Sequence, residues 1–161
     1  MKRTLSVLVE NHAGVLSRIT GLFSRRAFNI ESLAVGVTDD PTISRITIIA
    51  DGDSNVLEQV EKQLNKLIEV IKVRTLEEDK MIGRELMLLK VHAQASTRQD
   101  IMTICDICGA KVDDLSPSSM TLELSDTPDR VDTFLTMLRP FHILELARTG
   151  VIAVQKGSGK I

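Results

Sequence analysis

Two cysteines with the spacing of a redox motif are the first residues that suggest chemistry. Cys105 and Cys108 are separated by two residues, as in a dithiol motif or in one half of a zinc site. The sequence contains no other cysteine that could complete a zinc site. Both residues also fall on the apolar stripe of a predicted helix, and cysteine is among the residues most often buried. We therefore interpret the pair as part of a core.

The other candidates for catalysis and metal binding are also weak. His12, His92 and His142 lie in separate segments, none at metal-ligand spacing from another His or from a Cys. Residues 156–160 resemble a phosphate-binding loop, but such a loop leads into a helix and carries Ser or Thr after its Lys. Lys160 is followed by Ile161 instead. We expect no catalytic residue, no metal site, and a flexible tail over residues 156–161.

The segment from Glu10 to Leu16 offers the most informative chemistry, which is anion binding. A helix is expected to begin at its end, so backbone N–H groups and the positive end of the helix dipole would face a ligand. Gly14 would allow that ligand to approach the backbone closely. A carboxylate suits such a site. The same residues equally suit an ordinary strand-to-helix turn in which Asn11 caps the helix.

The elements that would position this segment follow a βαββαβ order. Residues 4–10 alternate between apolar and polar, as in a half-buried strand, and an apolar helical stripe begins at Val15. The rest of this half reads as a hairpin, a capped helix and a fourth strand, located at residues 30–37 and 43–50, from Ser54 or Asn55, and at residues 68–74.

The same order repeats in the second half. Its strands are expected at residues 86–93, 112–115, 120–124, 143–146 and 151–154, with helices between Ser96 and Gly109 and after Thr127-Pro128. We therefore expect an α+β fold of two ferredoxin-like βαββαβ units. The expected boundaries are a first domain at 1–76, a charged linker at 77–83, a second domain at 84–155 and the tail at 156–161.

Composition excludes several classes of partner. The chain has 161 residues with 20 Lys+Arg against 22 Asp+Glu, and it contains no Trp or Tyr. A net charge of −2 gives no drive toward phosphate backbones, and the usual base-stacking residues are missing. No apolar run approaches the ~18 residues of a membrane span. We therefore expect a protein that binds neither nucleic acid nor membranes. Because the chain has only two cysteines, we also expect it to be cytoplasmic.

An ordered set of short motifs along nearly the whole chain resembles one known family. The motifs lie at Leu5–Asn11, Gly14–Ile19, Gly21–Arg26, Phe28–Leu33, Ser44–Ile48, Arg84–Leu86, Leu89–Val91, Leu138–Phe141 and Arg148–Gly150. The first half resembles an ACT domain. The whole chain is similar to the small regulatory subunits of acetohydroxyacid synthase, also called acetolactate synthase.

The resemblance implies a noncatalytic chain that acts on a large catalytic subunit. It would activate that subunit and confer feedback inhibition by valine, within valine and isoleucine biosynthesis. Thiamine diphosphate, Mg and FAD would belong to the catalytic partner, with no cofactor on this chain. The resemblance further implies a homodimer formed through the ACT domains, which would be residues 1–76. Valine would bind between the copies, at Asn11, Ala13, Gly14, Val15 and Leu16 of one chain and Asn29 and Ile30 of the other.

Two other functions are also consistent with the sequence. The runner-up is a stand-alone amino-acid-binding ACT protein that regulates another enzyme or transcription, and the third is an enzyme. Co-purification with a large thiamine-diphosphate enzyme would favour the first function over the second. Activity of the isolated chain would favour the third.

Ala27 departs from the family pattern, which usually has Gly at this position. Alanine tolerates a positive φ less well than glycine. We therefore expect a small change where the first helix ends.

Overall fold

The first half of the chain forms six regular elements in the computed structural model, which describes residues 2–161. They are β1 (Lys2–Glu10), α1 (Val15–Arg25), β2 (Ile30–Val37), β3 (Ile43–Asp51), α2 (Ser54–Leu64) and β4 (Val70–Leu76). The strands pair antiparallel in the order β2-β3-β1-β4. The predicted βαββαβ order is confirmed, although the fourth strand starts at Val70 rather than at residue 68.

Alternation along β1 decides which face of this sheet the helices cover. Leu5 and Val7 are fully buried in one cluster with Ile19 and Phe23 of α1. Residues of α2 complete that cluster. Successive side chains of a strand point to opposite faces, so Ser6 lies on the face away from the helices. One face of the first sheet is therefore apolar and covered by α1 and α2.

The second half repeats this arrangement. After a short 3-10 turn at Glu78–Lys80, its elements are β5 (Met81–His92), α3 (Arg98–Cys108), β6 (Lys111–Leu115), β7 (Ser119–Asp126), α4 (Pro128–Leu138), a 3-10 turn at Arg139–Phe141, β8 (Ile143–Arg148) and β9 (Ile152–Gln155). The strands run in the order β6-β7-β5-β8, and β9 also pairs with β5. The α+β fold of two ferredoxin-like units is thus confirmed. Within residues 2–161 no helix is long and apolar enough to cross a membrane.

The two units do not divide the chain at the predicted places. One unit comprises the residues up to Gly83 together with Val151–Ile161, and the other comprises Arg84–Gly150. Residues 77–83 do not form the separate linker that was predicted, because the last of them already belong to β5. The second unit ends earlier than the predicted domain at 84–155, because residues 151–155 belong to the first unit. The second unit is therefore inserted into the first.

Hydrogen bonds and burial explain why the chain returns. The N–H of Lys156 donates to the carbonyl oxygen of Lys80 at 2.8 Å, and Lys156 Nζ donates to the carbonyl oxygen of Asp79 at 2.8 Å. Val151 and Ala153 are only 7% and 4% exposed. We call residues 151–156 the C-terminal segment. It contributes apolar side chains and backbone hydrogen bonds to the first unit, although its strand β9 pairs with β5.

Two helix starts also differ from the prediction. Asp53, rather than Ser54 or Asn55, caps α2, because its carboxylate accepts the N–H of Val56 at 2.8 Å. Helix α3 has Thr97 rather than Ser96 at its N-cap position. The predicted start of α4 is confirmed, with Thr127 as the N-cap and proline at the first helical position.

Helix α1 ends in a Schellman motif, with Ala27 in a left-handed conformation at a φ of +55°. The N–H of Phe28 donates to the carbonyl oxygen of Phe23 at 3.1 Å, and the N–H of Ala27 donates to that of Ser24 at 3.2 Å. The two phenylalanine rings meet edge to face at 6.3 Å. Alanine therefore occupies the position where glycine is normally preferred, and the motif forms nonetheless.

A buried carboxylate anchors the second unit. Glu85 is 5% exposed and receives two hydrogen bonds of 2.7 Å from Arg148, one from Nε and one from Nη2. Arg148 Nη1 also donates to Asp132 at 2.8 Å. The hydrogen bond to Glu85 contributes most to raising the pKa of Arg148 above its usual value. This ion pair links β5, β8 and α4.

Replacing Ala27 with glycine should stabilise the protein. Glycine relieves a left-handed strain of about 1–2 kcal/mol but adds conformational freedom to the unfolded chain, so we expect a net gain of ~0.5–1 kcal/mol. Urea unfolding of Ala27→Gly measures this change. Ala34→Gly in β2 is the matched control and should lose about 0.5–1 kcal/mol. Equal destabilisation by both substitutions would contradict the prediction.

Replacing Arg148 with methionine should destabilise the second unit strongly. The variant leaves the carboxylate of Glu85 buried without its cation, which costs about 3 kcal/mol or more. Thermal unfolding of Arg148→Met measures the loss. The control is Arg130→Met, whose partner Asp126 forms a more exposed pair worth no more than ~1 kcal/mol. Similar losses in the two variants would show that the buried pair has no special role.

Candidate functional site

The candidate anion site lies between the end of β1 and the start of α1. Gly14 is the N-cap of α1 and has a φ of +89° and a ψ of −15°. This left-handed conformation is readily adopted only by glycine. Helix α1 has no side-chain cap and no acidic residue in its first turn. The positive end of the helix is therefore not neutralised by its own sequence.

Backbone N–H groups are available at this helix start. The N–H of Arg18 donates to the carbonyl oxygen of Gly14 at 3.1 Å. The N–H of Val15 donates weakly to the carbonyl oxygen of His12 at 3.4 Å. Within the described residues 2–161, the N–H groups of Leu16 and Ser17 have no acceptor. Both can therefore donate to a bound carboxylate, as the sequence suggested.

Asn11 does not cap the helix, so that alternative is wrong. Its Nδ2 donates to the carbonyl oxygen of Pro41 at 2.9 Å, and its backbone N–H donates to Thr42 at 2.7 Å. These contacts fasten the loop to the turn between β2 and β3. The side-chain oxygen of Asn11 remains an acceptor for an ammonium group. The sequence carries no signal for this anchor, because Asn11 and Pro41 are 30 residues apart.

Charged side chains surround the loop in two pairs. His12 Nε2 lies 2.9 Å from the carboxylate of Glu10, and His12 Nδ1 lies 3.2 Å from the carbonyl oxygen of Ala13. The hydrogen bond to Glu10 is the main cause that raises the pKa of His12. Arg18 pairs with Glu69, a carboxylate only 8% exposed. Glu10 and Glu69 thus each face a basic side chain, whereas the amides of Leu16 and Ser17 have no acceptor among residues 2–161.

The apolar residues of the loop divide between core and solvent. Val15 is 4% exposed and belongs to the core, whereas Leu16 is 42% exposed. Ala13 and Gly14 are exposed as well. The side chain of Val15 therefore faces the core, as the apolar stripe of the helix predicted. Leu16 and Ala13 are the apolar side chains that this chain can offer to a ligand.

Asn29 and Ile30 lie at the opposite end of the same unit. Ile30 pairs with Ala50, which pairs with Arg3 at the beginning of β1, whereas the loop follows Glu10 at its end. Seven residues of β-strand separate these ends, or about 23 Å. One chain does not bring the seven predicted site residues together.

The other chemical candidates lie outside any site. Cys105 is 2% exposed in the core of the second unit, and burial raises the pKa of its thiol to about 11. A thiol held protonated in this way is a poor nucleophile. Among residues 2–161, no group of three or more His, Cys, Asp or Glu side chains is placed to hold a metal ion.

Comparisons with known families match both halves of the chain. Residues 5–72 match the family described as "AHAS small subunit-like ACT domain", and residues 84–157 match "Small subunit of acetolactate synthase". The two matched ranges leave only short segments of the chain uncovered. The ACT domain expected from the first half is thus confirmed.

Individual relatives are similar along their whole length. The acetolactate synthase small subunit of Haemophilus influenzae is 51% identical over 162 residues, which cover 100% of this chain and 99% of that protein. The isozyme 3 small subunit of Escherichia coli is 46% identical over 158 residues, covering 98% and 97%.

A solved structure agrees with these sequence matches. The crystal structure of the acetolactate synthase small subunit from Thermotoga maritima superposes with a TM-score of 0.93 at 34% identity, covering 99% of both chains. Fold and sequence therefore agree over the inserted second unit as well as the first. With two family matches, near-complete coverage and a shared fold, this chain belongs to the family of acetolactate synthase small subunits.

Proposed function

We propose that this chain is the regulatory subunit of an acetolactate synthase in branched-chain amino acid biosynthesis. It binds the large catalytic subunit, raises its activity and confers feedback inhibition by valine. The reaction, with thiamine diphosphate, Mg and FAD, takes place on the catalytic subunit. The carrying observation is the uncapped start of α1, where Leu16 and Ser17 have free N–H groups beyond a left-handed Gly14.

The chemistry of that helix start matches the polar and apolar parts of valine. Two free amides at the positive end of a helix suit its carboxylate. The side-chain oxygen of Asn11 suits its ammonium group, because the Nδ2 of the same side chain is already bound to Pro41. Leu16 is half exposed beside these groups and suits a short branched side chain. A small amino acid therefore finds a partner for each of its groups.

A second copy of the chain completes the site in this proposal. Asn29 and Ile30 are about 23 Å from the loop within one chain, so they contribute only if they come from a neighbouring ACT domain. Two copies related by a twofold axis would then form two equivalent sites. Because each site needs both copies, valine should also strengthen the dimer.

The test is reconstitution of acetolactate synthase from its two purified subunits. The chain should raise the activity of the catalytic subunit, and added valine should then lower that activity. Calorimetry with valine on the isolated chain separates binding from inhibition. A chain that binds no valine, or that leaves the catalytic subunit unchanged, would overturn the corresponding half of the proposal.

Replacing Gly14 with aspartate should abolish valine inhibition while leaving activation intact. The new carboxylate would repel the carboxylate of valine beside the free amides. Space is not the obstacle, since a Cβ at Gly14 would meet no atom within 4 Å. Valine titrations of the reconstituted enzyme measure the effect.

A matched variant separates charge from backbone strain. The asparagine introduced by Gly14→Asn has nearly the same size as the aspartate introduced by Gly14→Asp, and it also tolerates the left-handed conformation. It should therefore retain more valine inhibition than the aspartate variant. Equal loss in both would mean that the conformation of the loop matters and that its charge does not.

Alanine at Asn11 or Asn29 should weaken the same binding event. Loss of one hydrogen bond to a charged ligand group predicts roughly 10- to 150-fold weaker valine binding by calorimetry. Asn11→Ala also loses the bond to Pro41, so its circular dichroism must remain native-like.

Mixing the two asparagine variants tests whether the site is shared between chains. A heterodimer of Asn11→Ala and Asn29→Ala subunits has one intact site and one doubly altered site. Partial high-affinity binding should return after subunit exchange. If sedimentation shows dimers that exchange and binding does not return, the two residues do not share a site.

A further inference from the structure

The face of the first sheet that carries no helix is covered by the C-terminal segment. This segment makes side-chain hydrogen bonds to three strands in turn. They join Val151 N–H to Ser32 Oγ of β2 at 3.1 Å, Arg45 Nη2 of β3 to the Ala153 carbonyl oxygen at 2.9 Å, and Arg74 Nη1 of β4 to Gln155 Oε1 at 2.7 Å. The segment therefore crosses the sheet and is held by these hydrogen bonds together with the buried side chains of Val151 and Ala153.

The hydrogen bond from Val151 to Ser32 holds the residue at which the chain returns from the second unit. The second unit ends at Gly150, and Val151 is the next residue. The other connection leaves through Gly83 in β5, the strand with which β9 pairs. Ser32 therefore controls the position of one of the two chain connections to the second unit.

A β-bulge is the reason that Ser32 reaches this face. Ile30 pairs with Ala50, but Ser32 pairs with Ile49, so Glu31 is an extra residue in β2. Without the bulge, Glu31 would pair with Ile49 and Ser32 with Ile48, so Ser32 would point into the core, because a shift of one residue exchanges the two faces of a strand. Bulges commonly redirect a side chain in this way beside functional sites.

The bulge directly follows Asn29 and Ile30, the residues that the proposed function assigns to the neighbouring half of the valine site. An effector bound there would fix the backbone at the start of the bulge. Fixing the bulge fixes the direction of Ser32, and through its hydroxyl the position of Val151. A short covalent and hydrogen-bonded path thus runs from the proposed effector site to the entry of the second unit.

We propose that Ser32 is a positioning residue that transmits valine occupancy from the first unit to the second through the C-terminal segment. The inference rests on the proposed function, whose site it extends. The polar character of the contact supports it. Ser6 Oγ and Arg45 Nε are buried on this face without a hydrogen-bond partner in the described part of the chain. Because unpaired buried polar atoms are costly, a rearrangement of the segment that pairs them would be favourable.

The experiment replaces Ser32 with alanine in the full chain and measures valine binding and inhibition separately. Calorimetry on the isolated chain should show valine affinity within about twofold of wild type. In the reconstituted enzyme, the valine concentration for half-inhibition should rise about 3- to 10-fold, as expected for one lost hydrogen bond. Ser32→Thr keeps a hydroxyl and should restore inhibition. Ser24→Ala, at an exposed serine of α1, is the control and should resemble wild type.

Hydrogen exchange supplies a readout that a purely structural role would not change. In wild type, valine should protect the amides of both the loop at 11–17 and the C-terminal segment. In Ser32→Ala, protection of the loop should remain and protection of the segment should be lost. Gln155→Ala loosens the far end of the segment without altering β2, and it should weaken inhibition in the same direction. It serves as the second variant if Ser32→Ala folds poorly.

Each outcome decides between the inference and the function on which it rests. Normal inhibition in Ser32→Ala, with wild type binding valine, overturns the inference alone. Loss of valine binding in Ser32→Ala also overturns it, because Ser32 would then belong to the ligand site. Absence of valine binding in wild type overturns the proposed function and the inference together.

Discussion

A helix cannot satisfy its own first N–H groups, and the candidate site depends on how α1 leaves them unpaired. Gly14 turns the chain into the helix through a left-handed conformation and brings no side chain that could cap it. Asn11, the nearby residue able to cap, is bound to Pro41 instead. The turn between β2 and β3 therefore keeps the amides of Leu16 and Ser17 available. A contact 30 residues away in sequence thus decides the chemistry of the loop.

The second unit shows that the fold alone does not create such a site. Its strands follow the same order, but the turn before α3 bonds to itself: the Gln94 N–H donates to Thr97 Oγ1 at 3.0 Å, and the Arg98 N–H donates to the Gln94 carbonyl oxygen at 3.0 Å. Asp100 also places a negative charge in the first turn of α3. Anion binding is therefore favoured at α1 and disfavoured at α3. The repeated architecture carries two different helix starts.

The two faces of the first sheet are stabilised by different interactions. Apolar residues of β1 and β3 pack under α1 and α2, where burial of apolar surface dominates. The opposite face holds Ser6, Thr47 and Arg45, and the C-terminal segment covers it with hydrogen bonds as well as apolar side chains. An apolar core resists rearrangement because it is closely packed. A polar contact can exchange hydrogen-bond partners at lower cost.

The sequence by itself determined the elements, because alternation in strands and apolar stripes in helices are local patterns. It therefore predicted both βαββαβ units, the cap at Thr127 and the core position of Cys105. It also placed Gly14 directly before a helix start at Val15, since glycine there is a local signal, but it left open whether Asn11 caps that helix. Tertiary structure alone decided the anchor of Asn11 on Pro41 and the redirection of Ser32 by a bulge. It likewise decided that residues 151–156 belong to the first unit. Each of these depends on pairing between residues far apart in the chain, which no local pattern records.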